Sequence, residues 1–221
     1  MHPDLVVLTG DLITSAQDPL EEGIAALSRL QAPLGVWGCH GNHERWAGVE
    51  AHAQALFVRY GMHLLRQQGV ALSWHGGRFH LMGVDDQREH AHPGEPSSML
   101  RSIEALVRRD MPNILLSHNP DTFPRAAALG IELSLAGHTH GGQLRCRLGH
   151  RQWSPASLLT PFAVGLYRLP FGPATPPARE ERAAHPPPCA FLYVNPGLGT
   201  FGLPLRLGMP PEIMLLTLRG A

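Results

Sequence analysis

Lysine is missing from this chain of 221 residues: all 18 basic side chains are arginine, set against 18 acids for a formal net charge of zero. With no excess of positive charge and no basic stripe interleaved with the few aromatics, 6% of the chain, a general electrostatic grip on nucleic acid or an anionic membrane is not indicated. Cysteine is scarce as well. Cys39, Cys146 and Cys189 form no C-x-x-C pair and leave an odd count, which argues against a disulfide framework or a thiolate zinc site and for small buried apolar residues. No apolar run approaches the roughly 20 residues of a spanning helix, and the opening Met1-His2-Pro3-Asp4 has no signal-peptide character. The chain reads as soluble and, by default, cytoplasmic; membrane association is expected only of a longer form. No repeat and no clean linker interrupts residues 1–221, which are read as one domain with 43% hydrophobic content and a large core.

What is present is an alternation of short apolar runs and helical patterns, which predicts an α/β fold. Leu5 to Leu8 is a continuous aliphatic run suited to a strand buried on both faces. A helix start follows, with Asp18 as N-cap, Pro19 at the first helical position, Glu21 completing a capping box, and Leu20, Ile24, Leu27 and Leu30 on one face. Leu34 to Trp37 predicts a second strand and Ala47 to Tyr60 a helix, while Val70 to Trp74 and Phe79 to Val84 predict two strands about Gly76-Gly77. Ser97 or Ser98 is the expected cap of a helix running to Arg108. Ile114 to Leu116 reads as a buried strand, Asp121 as the cap of a short helix stopping at Gly130, and Ile131 to Leu135 as a further strand. Residues 171–188 hold six prolines and predict an exposed loop within the domain, and Ala190 to Val194 and Ile213 to Leu218 read as closing strands.

Four polar clusters stand at or just after predicted strands: Gly10-Asp11, Gly41-Asn42-His43-Glu44, Ser117-His118-Asn119-Pro120-Asp121 and Gly137-His138-Thr139-His140-Gly141-Gly142. In an open α/β sheet the carboxyl ends of strands are where ligands bind, so clusters far apart in sequence are expected to meet. A carboxylate, an amide oxygen and three imidazoles make the donor set of a metal centre, with Asp11, Asn42, His118, His138 and His140 as candidate ligands. Asp11 has two anionic oxygens and can bridge two ions, which favours a two-metal site. Two divalent ions roughly 3.5 to 4 Å apart clamp a phosphoryl group and yield hydroxide near neutral pH, so the reaction indicated is hydrolysis of a phosphate ester. His43, beside a candidate ligand, is the candidate catalytic side chain: as imidazolium it can stabilise the transition state or protonate the leaving oxygen. Asp85 and Asp86 read either as a plain turn or as groups that orient a ligand histidine. Glu89-His90-Ala91-His92 reads as a solvated loop, and Arg145, Arg147 and Arg206 as solvated arginines within possible reach of a phosphate.

These blocks resemble the calcineurin-like metallophosphoesterases, whose motifs run D-x-H, G-D, G-N-H-[DE], a lone His and G-H-x-H. The last four occur here in order between Gly10 and Gly142. Leu8-Thr9-Gly10-Asp11, Leu116-Ser117-His118-Asn119-Pro120-Asp121 and Ala136-Gly137-His138-Thr139-His140-Gly141-Gly142-Gln143 are similar to the bacterial branch that includes membrane-associated phosphodiesterases and lipid-precursor pyrophosphatases. The resemblance implies a sandwich of mixed β-sheets flanked by helices. It implies two divalent metal ions, Mn, Fe, Zn or similar, bridged by Asp11, with Asn42, His118 and His138 completing one position and His140 belonging to the other. His43 would take the substrate-facing catalytic role. The implied substrate is a phosphorylated small molecule or lipid-linked compound, a phosphodiester or pyrophosphate in preference to a monoester.

The chain departs from that pattern at D-x-H, for which nothing before Asp11 qualifies. In the family those residues serve the ion that His140 also binds, so one metal position is expected nearly complete and the other stripped. An N-terminally truncated chain or a start codon placed too late is expected, with the first strand of the sandwich missing and an exposed strand edge that lowers solubility. The alternative expectation is a noncatalytic scaffold or binding module on the same fold.

Overall fold

The computed structural model describes residues 2–86, 100–148, 151–172 and 188–219. Three short strands, β1 (Val6–Leu8), β2 (Val36–Gly38) and β3 (His63–Leu64), form a parallel sheet in that order. Next come β4 (Gln68–Trp74), β5 (Gly77–Val84), β6 (Asn113–Ser117) and β7 (Leu133–Ala136), then the separate hairpin of β8 (Cys146–Leu148) and β9 (Arg151–Trp153), then β10 (Gly165–Pro170) and β11 (Cys189–Val194). The second large sheet has the order β10-β11-β7-β6-β5-β4, parallel through its centre and antiparallel at both ends.

Among the described residues four α-helices flank the sheets: α1 (Leu20–Leu27), α2 (Asn42–Trp46), α3 (Glu50–Arg59) and α4 (Phe123–Leu129). Ile24 of α1 and Ala53, Leu56 and Phe57 of α3 pack on Val36 and Leu64 of the small sheet. Trp37, Leu81, Ile114, Leu116 and Leu135, with Val7, fill the space between the two sheets, while Leu115 turns to the far face, among Met82, Ile103 and Ala126. That alternation along β6 is the two-residue period of a strand covered on both faces. Burying each such side chain contributes about 1.5–3 kcal/mol. The product is an α/β sandwich of one parallel and one mixed sheet flanked by helices.

Four local expectations are corrected. Asp18 does not cap α1: its carboxylate accepts the amides of Thr14 (2.6 Å) and Ser15 (2.9 Å), closing the preceding turn, and Pro19 takes the cap position without a side-chain bond. The helix expected to end at Arg108 is a 3₁₀ segment, Arg101–Leu106, entered through Leu100 at φ 62°. Three-residue spacing of Leu100, Ile103 and Leu106 suits a 3₁₀ turn as well as an α-helix. Asn119, rather than Asp121, caps the turn before α4, its Oδ1 accepting from the Asp121 amide at 3.0 Å. Ile213 to Leu218 pairs with no strand among the described residues, although Leu216 packs against the buried cluster that includes Trp37 and Leu116. Among the described residues β1 is hydrogen-bonded on one side only, to β2. Ser97, Ser98, Glu89 to His92 and positions 173–187 of the proline-rich stretch lie outside the described residues.

Candidate metal centre

Each polar cluster leaves the carboxyl end of a strand: Asp11 after β1, Asn42 and His43 after β2, His118 after β6, and His138 and His140 after β7. Asp11, His118 and His138 converge, with one ligand atom from each lying within 4.8 Å of the others. Asn42, His43, His138 and His140 line one cleft of about 300 Å³, and Trp46, Leu159 and Phe201 stand at the same cleft.

Backbone geometry brings them there. Asp11, His138 and His140 all adopt positive φ, at 55°, 68° and 50°. Such conformations cost of order 1–3 kcal/mol each for residues with a Cβ and persist only where the surroundings enforce them. At Asp11 the enforcement is visible. A Cβ on Gly41 would fall on the Asp11 amide and carboxylate, so the two loops touch backbone to backbone and glycine is required.

Glu44 locks this contact. It is fully buried, and its Oε2 accepts the amides of Asp11 (3.0 Å) and Gly41 (2.7 Å) while Oε1 accepts that of Leu12 (2.5 Å). Burial, then the nearby charge of Asp11, raise its carboxyl above the ordinary value, with the amide bonds opposing. Glu44 belonged to a cluster recognised in the sequence, and its spacing three residues after Gly41 is the available signal for a capping role.

Two histidines are oriented by carbonyls that sequence reading missed. His118 Nδ1 meets the Thr9 carbonyl at 2.6 Å, and because a carbonyl only accepts, Nδ1 carries the proton. Its Nε2 then faces Asp11 Oδ2 at 3.0 Å and His138 Nδ1 at 3.1 Å. His43 Nδ1 likewise donates to the Thr14 carbonyl at 2.7 Å, and its Nε2 lies 3.9 Å from Asp11 Oδ2, while its amide donates to Asp11 Oδ1 at 3.0 Å.

These residues fit a metal ion. In neutral His118 the Nε2 lone pair and the Asp11 carboxylate are two acceptors in contact, an arrangement that requires a cation or a shared proton between them. Burial alone would lower His118 and raise Asp11, yet their mutual hydrogen bond and charge reverse both shifts, lifting the histidine and depressing the acid. Asn42 Oδ1 and His140 Nδ1 are buried without a hydrogen-bond partner, as expected of donors kept for a metal.

Other candidates lie elsewhere. Asp85 binds Arg66 and Gln67. Arg206 donates to the carbonyls of Pro196 (2.7 Å), Gly199 (2.5 Å), Met209 (3.4 Å) and His140 (3.5 Å), bracing the loop beside the cleft. The Arg147 side chain lies outside the described residues.

Histidines and one carboxylate gathered on loops at the carboxyl ends of strands, in an α/β sandwich, define a metal-binding class of site. The family model of the calcineurin-like phosphoesterases matches residues 1–142, and the chain belongs to that family. A transmembrane protein with metallophosphoesterase domain from Bos taurus is 31% identical over 100% of this chain and 47% of its own length. An uncharacterized metallophosphoesterase of Aquifex aeolicus is 31% identical over 99% of the chain and 74% of its own length. The phosphodiesterase YaeI of Escherichia coli is 28% identical over 98% and 70% respectively. The chain thus spans about half the length of the bovine relative. Among the described residues no helix is long and apolar enough to cross a membrane.

Proposed function

We propose that this chain, as a single domain, hydrolyses a phosphate ester, a phosphodiester or pyrophosphate in preference to a monoester, at a two-metal centre. Asp11 would bridge the ions, Asn42, His118 and His138 would complete one position, and His140 would serve the other. The observation that carries this reading is the contact of His118 Nε2 with Asp11 Oδ2 at 3.0 Å, two acceptors poised for a cation. When bound, the ions would neutralise charge on the phosphoryl oxygens and supply hydroxide near neutral pH.

The chain's own residues do the rest. Thr9 and Thr14 fix the tautomers, so that His118 offers its Nε2 lone pair and His43 turns Nε2 toward the reacting region. His43 Nε2, 3.9 Å from the Asp11 carboxylate, would serve as the proton donor to the leaving oxygen. Glu44 keeps the Asp11 backbone in its left-handed conformation. Trp46, Leu159 and Phe201, at 63%, 84% and 51% exposure, give the cleft apolar borders that suit an organic group on each side of phosphorus rather than a bare monoester. A phosphorylated small molecule and a lipid-linked phosphate both meet that description, and the relatives named as transmembrane proteins support membrane association of a longer form.

The test is hydrolysis of bis(p-nitrophenyl) phosphate by the Mn²⁺- or Zn²⁺-loaded protein. Turnover should exceed that on the matching monoester and fall by about 10²- to 10⁴-fold in His43→Ala. No turnover with either metal would favour a noncatalytic binding module, whereas undiminished turnover in His43→Ala would overturn the role given to His43.

A further inference from the structure

We propose that His40, Glu50 and Asp85 form a second divalent-cation site, sharing no residue with the Asp11 centre, in which the Arg66 guanidinium holds the cation's place until an ion displaces it. One ligand atom from each of the three lies within 4.8 Å of the other two. They come from three different elements: His40 follows β2, Asp85 follows β5, and Glu50 opens α3.

His40 carries the argument beyond a cluster of acids. It is 1% exposed, and neither ring nitrogen has a hydrogen-bond partner. A neutral imidazole has one donor and one acceptor to satisfy, and leaving a buried polar group unpaired costs about 1–3 kcal/mol. Leaving both nitrogens unpaired beside two carboxylates is costly for a packing residue and normal for a ligand.

Arg66 reports what the carboxylates attract. Its Nε meets Asp85 Oδ1 and Oδ2 at 3.1 and 3.0 Å, and its Nη2 meets Asp85 Oδ2 and Glu50 Oε1 at 2.8 Å each. Gln67 Nε2 adds a bond to Asp85 Oδ2 at 3.1 Å. Arg66 bonds both carboxylates, yet neither His40 ring nitrogen receives a hydrogen bond from it. The Arg66 side chain is 31% exposed, so it can leave toward solvent without opening the core. One imidazole and two carboxylates form a mixed nitrogen and oxygen set suited to Zn²⁺ or Mn²⁺.

The experiment uses the full chain and Zn²⁺ alone as probe, counting ions per chain by mass spectrometry after gel filtration for wild type, His40→Gln, Glu50→Gln, Arg66→Gln and Asp11→Asn. His40→Gln and Glu50→Gln should each hold one ion fewer than wild type; Glu50 lies near the surface, so its variant folds even if His40→Gln does not. Asp11→Asn should retain an ion whose X-ray absorption shows a single imidazole among oxygen donors. Arg66→Gln should bind that ion about fivefold more tightly, the upper range for a partly exposed ion pair. Unchanged ion counts in Glu50→Gln and His40→Gln, or retained zinc in Asp11→Asn with several imidazoles or none, would overturn the site. Diester hydrolysis by the same wild-type preparation reports separately on the proposed function, since its absence leaves the difference in ion count intact.

Discussion

The Nε2 atom of His118 lies 3.0 Å from Oδ2 of Asp11, and the Thr9 carbonyl, 2.6 Å from Nδ1, fixes which nitrogen carries the proton. A histidine and an aspartate separated by 107 positions are thereby set side by side, the pair proposed above as metal donors.

Glu44 places Asp11 by accepting backbone amides on both carboxylate oxygens. In Glu44→Gln one oxygen becomes an NH₂ that faces donors, leaving buried amides unpaired at about 1–3 kcal/mol. Urea unfolding should show a loss of that size, and the Kd for Mn²⁺ should rise, although Glu44 is no ligand.

Gly41 is constrained by contact and Gly23 is not. A Cβ at Gly41 would fall on Asp11, whereas one at Gly23, within α1, meets nothing within 4 Å. Gly41→Ala should therefore destabilise by about 1–3 kcal/mol and weaken metal retention. Gly23→Ala should stabilise by about 0.4–1 kcal/mol and leave retention unchanged. Thermal unfolding with and without metal checks both.

The strand cores and the proposed ligands were legible because both are local properties: apolar runs mark β1, β6 and β7, and the ligand clusters follow those strands within a few residues. The acceptors were not legible, since the carbonyls of Thr9 and Thr14 are backbone atoms that leave no mark in side-chain sequence. Asp18 looked like a helix cap because its position suits one, but the turn at Thr14 and Ser15 offered two amides and won the carboxylate. Ile213 to Leu218 has strand composition, yet a strand exists only where another strand supplies its hydrogen bonds.

Acid should destabilise the protein through His80. Burial holds this imidazole below its ordinary value of 6.5, against the opposing hydrogen bond to Asn113. The unfolded chain therefore binds the proton more tightly, so stability is intact above pH 6.5 and is lost as pH falls through the unfolded value toward the lower folded one. The urea midpoint should drop between pH 7.5 and 5, and His80→Gln should flatten that slope.

Metal should stabilise the fold through the same donors. An ion that binds only the native state contributes about 2.7 kcal/mol when present at ~100 times its Kd. Tm should rise on adding Mn²⁺ and return to the metal-free value with EDTA, with the increment largely absent in His118→Ala.

The most direct test of the central claim is kcat/KM for bis(p-nitrophenyl) phosphate, measured on metal-loaded wild type and Asp11→Asn side by side. A bridging carboxylate predicts metal-dependent turnover in the wild type and a fall of about 10²-fold or more in Asp11→Asn, equivalent to about 2.7 kcal/mol of barrier. Equal turnover in the two proteins, or turnover that survives EDTA, would contradict it.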